Sequence, residues 1–186
     1  MPAYRAPLRD MRFVFDEVLN AYQALQSLPD QTEFTIDLGE AILEEAAKLA
    51  ENVLAPRNSP GDKEGCAYDS QTRLVKTPAG FANAYKQFAE GGWTALACST
   101  EFGGQGLPHV LNMMVEEMVC SANLSLGMYP GLTHGAINAL TQHGARDLQE
   151  RFLPNLISGL WTGTMCLTEP QCGTDLSLIR TRAVPQ

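Results

Sequence analysis

One segment of the sequence gathers several groups that could bind a planar ligand. It runs from Leu167 to Asp175 and reads Leu-Thr-Glu-Pro-Gln-Cys-Gly-Thr-Asp. The hydroxyls of Thr168 and Thr174, with the backbone N–H groups of this stretch, are donors for the carbonyl and nitrogen acceptors of a planar ring. Gly173 lets the main chain approach a ligand closely, because glycine has no side chain. The residues alone therefore indicate either a binding loop or a turn capped by Asp175.

A second candidate is the glycine cluster Gly103-Gly104-Gln105-Gly106. The dinucleotide fingerprint requires G-x-G-x-x-G between a strand and a helix, and the P-loop requires a lysine that is absent here. The cluster matches neither pattern, so the sequence favours a tight turn in which glycine supplies a positive φ.

The remaining residues that could do chemistry favour structural roles. His109, His134 and His143 each lack a second histidine four residues away, so their spacing does not favour a metal site. Glu116 and Glu117 are neighbours on a predicted helix, where successive side chains point about 100° apart, so at least one of them faces solvent. The methionines of that helix are typical of core filling, and no serine or cysteine lies in a nucleophile-elbow pattern.

The composition excludes several classes of protein. The 186 residues are 45% hydrophobic and 18% charged, which is typical of a folded chain rather than a disordered one. A net charge of −8 disfavours nucleic acid and anionic membranes as partners. The five cysteines show no C-x-x-C spacing and favour reduced thiols in the cytoplasm. No apolar run is long enough for a membrane span, and the first residues lack the apolar core of a secretion signal.

Hydrophobic periodicity predicts a series of helices that position the loop. We expect helices over residues 10–28, 37–55, 78–90, 109–122, 132–142 and 145–157. The apolar face of the first helix is expected to consist of Met11, Phe13, Val14, Val18, Leu19, Tyr22 and Leu25.

The breaks between the helices are predicted from caps, prolines and glycines. Asp37 is the expected cap of the second helix, and Pro56 is expected to end it. Residues 56–78 are expected to form a long loop, and Tyr129-Pro130-Gly131 is expected to interrupt the chain. The period then becomes that of a strand at 161–167 and again at 178–184. Since two strands are not stable alone, we expect only the first part of a β domain.

The loop segment resembles the Thr-Glu-Pro-x-x-Gly-Ser-Asp motif of the acyl-CoA dehydrogenase family, with Thr174 in place of the serine. Residues 101–107 resemble the family's Glu-Tyr-Gly-Gly-x-Gly-Leu, with Phe102 in place of tyrosine, and residues 144–159 resemble the stretch that leads into the strand before the loop. Residues 4–8 resemble the N-terminal extension of a longer branch, which includes enzymes similar to methylthiopropanoyl-CoA dehydrogenase. Several motifs occur in order at the right spacing, so the sequence is identified as a member of this family.

The resemblance implies a mainly α fold: an acyl-CoA dehydrogenase-like N-terminal helical domain followed by the first strands of a truncated β-barrel middle domain. It implies an N-terminal extension helix over residues 1–35, the helical domain over 36–158 and the start of the β domain over 159–186. The isolated chain is expected to be inactive.

The resemblance also implies FAD as the cofactor and an acyl-CoA as the substrate. On the matching positions, Met165, Leu167, Thr168, Gly173 and Thr174 are expected to contact flavin, and Thr174 is also expected to lie near the acyl-CoA. The reaction would be α,β-dehydrogenation to the 2-enoyl-CoA, with an electron-transfer flavoprotein as electron acceptor.

The same resemblance places the base, a glutamate, beyond Gln186, so no catalytic residue is assigned within the chain. The full-length protein is expected to form homo-oligomers. Two alternatives stay open at this point: a non-enzymatic helical domain for dimerisation or another interaction, and a flavoenzyme of the acyl-CoA oxidase or nitroalkane oxidase kind.

Overall fold

The chain is mainly helical in residues 3–31 and 33–184, which a computed structural model describes. The helices in these ranges are α1 (Leu8–Arg12), α2 (Ala21–Gln26), α3 (Ile36–Leu49), α4 (Ala55–Glu64), α5 (Phe81–Glu90), α6 (His109–Ala122), α7 (Leu124–His143) and α8 (Arg146–Ile157). A hairpin of two short antiparallel strands, β1 (Ala67–Asp69) and β2 (Leu74–Lys76), lies between α4 and α5. The predicted fold class is confirmed.

The single helix predicted over residues 10–28 is wrong, because the chain breaks at Asn20. α1 continues as a π-helical segment from Phe13 to Val18, and Asn20 then takes a left-handed conformation with φ of 47° before α2 begins. A π-helix has more residues per turn than an α-helix, so the face that points inward shifts. Phe15 is therefore buried, whereas Phe13 and three other residues of the predicted apolar face are exposed.

The start and end of the second predicted helix also differ from expectation. Thr35, not Asp37, caps α3, since its hydroxyl oxygen accepts a hydrogen bond from the Leu38 N–H at 3.2 Å. Pro56 does not end the helical path, which continues through a π-helical segment (Ala50–Leu54) into α4. Pro56 therefore lies inside a continuous helical path, directly after the π-helical segment, and it removes one backbone hydrogen-bond donor there.

The predicted loop over residues 56–78 is mostly regular structure. Its first half is α4, and the hairpin follows, with Ala67 paired to Lys76 and Asp69 to Leu74. Asp69 closes the connection, because its carboxylate accepts the N–H of Gln71 at 2.8 Å.

The other helices follow the sequence more closely, with one exception. α6 has the predicted bounds, while α5 and α8 begin three residues and one residue later than predicted. The exception is the break at residues 129–131: α7 runs unbroken through Pro130, which is buried. Because α7 packs along both α6 and α8, tertiary packing offsets the cost of the missing hydrogen bond.

Two groups of buried apolar side chains hold the helices together. The larger joins α1–α6 and contains Leu43, Leu54, Leu111, Val115 and Met118 among its most buried members. The smaller joins the glycine-rich turn to α7 and α8 and consists of Ala95, Cys98, Phe102, Ile137, Leu153, Leu156 and Ile157. Asn123 is completely buried between α6 and α7, where it caps α7 and donates to the Leu54 carbonyl at 3.2 Å.

The two predicted strands near the end of the chain are extended segments. Within the described residues, neither 161–167 nor 178–184 forms a β ladder. A strand needs a neighbour to pair with, and the structure instead holds these segments through contacts with α7 and through one carboxylate.

Candidate functional site

The path into the loop is fixed by hydrogen bonds to the end of α8. The Thr94 hydroxyl donates to the Ile157 carbonyl at 2.7 Å, and both residues are buried. The Tyr85 hydroxyl donates to the Gly159 carbonyl at 2.9 Å, and the Trp161 N–H donates to the Asn155 carbonyl at 2.9 Å. The chain therefore leaves α8 in a defined direction.

The next residues run close beside α7. The Gly163 N–H donates to the Thr133 hydroxyl oxygen at 3.1 Å. A β-carbon at Gly163 would lie only 2.6 Å from that of Ala136, so glycine is required for this approach. Sequence reasoning missed Gly163 and Thr133, and the Thr-Gly-Thr pattern before the loop is the signal that could have found Gly163.

A groove of about 460 Å³ separates α7 from the extended segment. Its helical wall is made of small side chains and one leucine: Gly131, Leu132, Gly135, Ala136 and Ala139. Its other wall is the stretch 164–167, which includes Met165 and Leu167. Two of the predicted flavin-contact residues therefore line one open concave surface.

The loop itself is a tight turn followed by a short helical turn. The N–H of Glu169 donates to the Cys172 carbonyl at 2.9 Å, and the N–H of Cys172 donates back at 3.1 Å. Cys172 is buried beneath the turn. The Asp175 carboxylate then accepts the Ser177 N–H at 3.0 Å and caps the turn Leu176–Leu178, and the hydrogen bonds from Ser177 lower the pKa of Asp175. The loop thus contains the capped turn that the sequence indicated as one alternative.

The five predicted cofactor contacts are all exposed. Met165 is 64% exposed and Leu167 is 41% exposed, while Thr168, Gly173 and Thr174 are also exposed. Among the described residues, their backbone N–H groups and the two threonine hydroxyls donate to no protein acceptor. The loop therefore presents several donors beside two apolar side chains, a combination that suits a flat heterocycle with a polar edge.

Gly173 differs from Gly163 in what surrounds it. A β-carbon at Gly173 would meet only the Thr168 methyl group, at the ordinary contact distance of 3.5 Å. Nothing in the described part of the chain therefore requires glycine at this position.

The glycine cluster at 103–106 is a structural turn, as predicted. Gly103 and Gly106 have φ of 89° and 65°. A β-carbon at Gly104 would lie 2.1 Å from the Cys98 carbonyl oxygen, which accepts the Gly106 N–H at 2.9 Å. The protein's own backbone occupies the donors that a phosphate would need.

One of the histidines and one of the paired glutamates form a polar contact between α6 and α7. Glu117 is exposed, whereas Glu116 accepts the Asn112 side-chain amide at 2.8 Å and lies 4.0 Å from His134. Burial lowers the pKa of His134, although Glu116 opposes this shift. Across residues 3–31 and 33–184, no three His, Cys, Asp or Glu side chains are gathered so that they could hold a metal ion. None of the helices described there has the length and apolarity needed to cross a membrane.

Comparison with known proteins defines the class to which the chain belongs. Residues 38–160 match the family described as "Acyl-CoA dehydrogenase, N-terminal domain". Since this match covers more than half of the sequence, the chain belongs to the acyl-CoA dehydrogenase family.

Individual relatives support the assignment. The chain is 40% identical over 183 residues to 3-methylmercaptopropionyl-CoA dehydrogenase of Ruegeria pomeroyi, and the match covers 98% of the chain and 31% of that protein. It is 33% identical to a butyryl-CoA dehydrogenase of Syntrophomonas wolfei, with 98% and 30% covered. The chain therefore spans about a third of the length of these relatives.

A solved structure shows the same fold. The butyryl-CoA dehydrogenase of Megasphaera elsdenii superposes with a TM-score of 0.59 at 22% identity, covering 77% of this chain and 35% of that one. A structure described as the electron transferring flavoprotein of Acidaminococcus fermentans superposes with a TM-score of 0.66 at 22% identity, covering 83% and 37%.

Proposed function

We propose that the chain forms the helical domain and one wall of the flavin site of an FAD-dependent acyl-CoA dehydrogenase, which converts an acyl-CoA thioester to the 2-enoyl-CoA. The observation that carries this proposal is the exposed set of donors at Thr168, Gly173 and Thr174 in a chain that belongs to the family. The domain boundaries at 35 and 158 stay predictions.

The chemistry of the loop fits the isoalloxazine ring of a flavin. The apolar side chains of Met165 and Leu167 would lie against the ring, while the N–H groups and the Thr168 hydroxyl would donate to its polar edge. Bound FAD would supply the hydride acceptor for the β-carbon of the substrate. Thr174 lies at the far end of the loop, and we propose that it also orients the acyl-CoA.

The geometry supports placing the base outside this chain. The loop contains two carboxylates: hydrogen bonds from Thr181, Arg180 and Gln171 hold the pKa of Glu169 at about 2, and hydrogen bonds from Ser177 lower the pKa of Asp175. A carboxylate with so low a pKa is a weak base at neutral pH. We propose that a glutamate beyond Gln186 removes the α-proton and that an electron-transfer flavoprotein accepts the electrons.

The experiment is flavin reduction by substrate in the full-length protein. The purified protein should show a flavin absorbance spectrum that bleaches when an acyl-CoA is added without oxygen. The 186-residue chain alone should bind FAD weakly or not at all, because it offers contacts on one side of the ring only. A full-length protein without flavin would refute the proposal, and rapid reoxidation of the reduced flavin by oxygen would favour the oxidase alternative.

Gly173→Ala provides a specific variant for the same assay. It should weaken FAD binding by keeping the ring away from the main chain, while the thermal unfolding of the FAD-free protein stays unchanged because the new methyl group meets no tight contact. Ser70→Ala is the control for FAD binding, because Ser70 is exposed in the connection between β1 and β2 and lies outside both the groove and the loop.

The alternative of an interaction domain rests on one observation. The segment around the π-helix exposes Phe13, Val14, Val18 and Leu19, each at least 48% exposed, beside Met113 of α6. This apolar face could serve homo-oligomer contacts in the full-length protein.

The free state of all five cysteines is consistent with the cytoplasmic location that we propose.

A further inference from the structure

The carboxylate of Glu169 links the turn at residues 169–172 to residues 180 and 181, which follow the loop in the sequence. One of its oxygens accepts the Thr181 N–H at 2.9 Å, and the other accepts the Arg180 N–H at 3.1 Å. The side-chain amide of Gln171 donates to the same carboxylate. A single side chain thus satisfies donors from the turn that it begins and from the extended segment after the loop.

These contacts close the loop that carries the flavin-facing groups. Glu169 directly follows Thr168, while Gly173 and Thr174 lie between Glu169 and its partners at 180 and 181. No β ladder joins the two extended segments within the described part of the chain. A further link across the loop is longer, 3.4 Å from the Gln171 amide to the Leu178 carbonyl.

We infer that Glu169 is a positioning residue, which accepts the N–H groups of Arg180 and Thr181 and so holds Thr168 and Thr174 on one face for the flavin. This inference rests on the proposed function.

The negative charge of the side chain matters for this role. The low pKa of Glu169 keeps the carboxylate ionised across the physiological range, and hydrogen bonds to a charged acceptor are stronger than those to a neutral one. Glu169→Gln keeps the shape but offers an amide group, whose NH₂ donors oppose the N–H groups that Glu169 accepts. Glu169→Asp keeps the charge with a shorter reach.

Two measurements on the full-length protein test the inference. In the absence of FAD, amide hydrogen exchange at Arg180 and Thr181 should be slow in the wild type and about tenfold or more faster in Glu169→Gln. FAD binding should weaken about tenfold or more in Glu169→Gln, recover in part in Glu169→Asp, and stay unchanged in the exposed-carboxylate control Glu17→Gln.

Without FAD, the thermal midpoint of the helical domain should be the same in every variant, which separates positioning from a general loss of folding. Equal exchange of the two amides in the wild type and Glu169→Gln would overturn the inference and leave the proposed function standing. A wild-type protein that binds no FAD would overturn the proposed function, and the positioning role with it.

Discussion

Replacing Gly104 by alanine is predicted to destabilise the protein strongly while Gly135→Ala stabilises it. The β-carbon that Gly104→Ala introduces would lie 2.1 Å from the Cys98 carbonyl oxygen and 2.3 Å from its carbonyl carbon. Backbone atoms have no rotamer by which to move away, so the turn must open and the hydrogen bond from the Gly106 N–H to that oxygen must lengthen. Overpacking of a well-packed site costs about 1–3 kcal/mol or more, and we expect the upper end of this range.

The assay is thermal unfolding followed by circular dichroism at 222 nm. For a chain of this length, about 3 kcal/mol lowers the midpoint by roughly 6–12 °C. Gly135 lies on an exposed part of α7 with nothing within 4 Å of its β-carbon position, so alanine there should add up to about 1 kcal/mol through helix propensity. If the free energy of unfolding of Gly104→Ala lies within about 1 kcal/mol of the wild-type value, the steric explanation of the turn is refuted. If the variant also loses the binding of a nucleotide phosphate, the phosphate-loop interpretation of residues 103–106 is supported instead.

Two further predictions concern buried polar groups of the helical core. Asn123→Ala should lower the free energy of unfolding by about 2–3 kcal/mol, because it removes the cap of α7 and the side-chain donor to the Leu54 carbonyl. Asn123→Ser should recover part of this loss in a urea titration. An alanine variant as stable as the wild type would contradict this prediction. Burial, with smaller contributions from Glu40 and Asp16, raises the pKa of Tyr22 to about 12. The fold favours the neutral phenol, so its contribution to stability is complete below pH 10 and is lost as the pH rises through 12. In a pH titration, the absorbance at 295 nm of the wild type minus that of Tyr22→Phe reports ionisation of this one phenol. Its midpoint should lie near pH 12 rather than pH 10.

The predictions that succeeded rest on strong local patterns. Helix α6 has the bounds that its apolar stripe indicates, and the glycine turn follows from backbone geometry that only glycine adopts easily. Thr168 and Thr174 are exposed, and the interpretation of their loop as a binding site stays a prediction. A packed interior at these two positions would have ended that interpretation.

The predictions that failed depended on contacts distant in sequence. Pro130 was interpreted as a break, but packing of α7 against two helices keeps it helical. The face of the first helix was wrong because no local rule for α-helices anticipates the π-helical turn that exposes Phe13 and buries Phe15. The role of Glu169 could not be derived because its partners at 180 and 181 come together only when the loop is folded.

The central claim is that the loop after the Trp161 segment holds a flavin. The measurement that tests it most directly is hydrogen exchange of the full-length protein, read by mass spectrometry, with and without added FAD. FAD should slow exchange within residues 163–175 and leave the turn at 103–106 unchanged, because the donors of that turn are already satisfied by the protein. FAD binding that protects other regions while residues 163–175 exchange as before would contradict the claim.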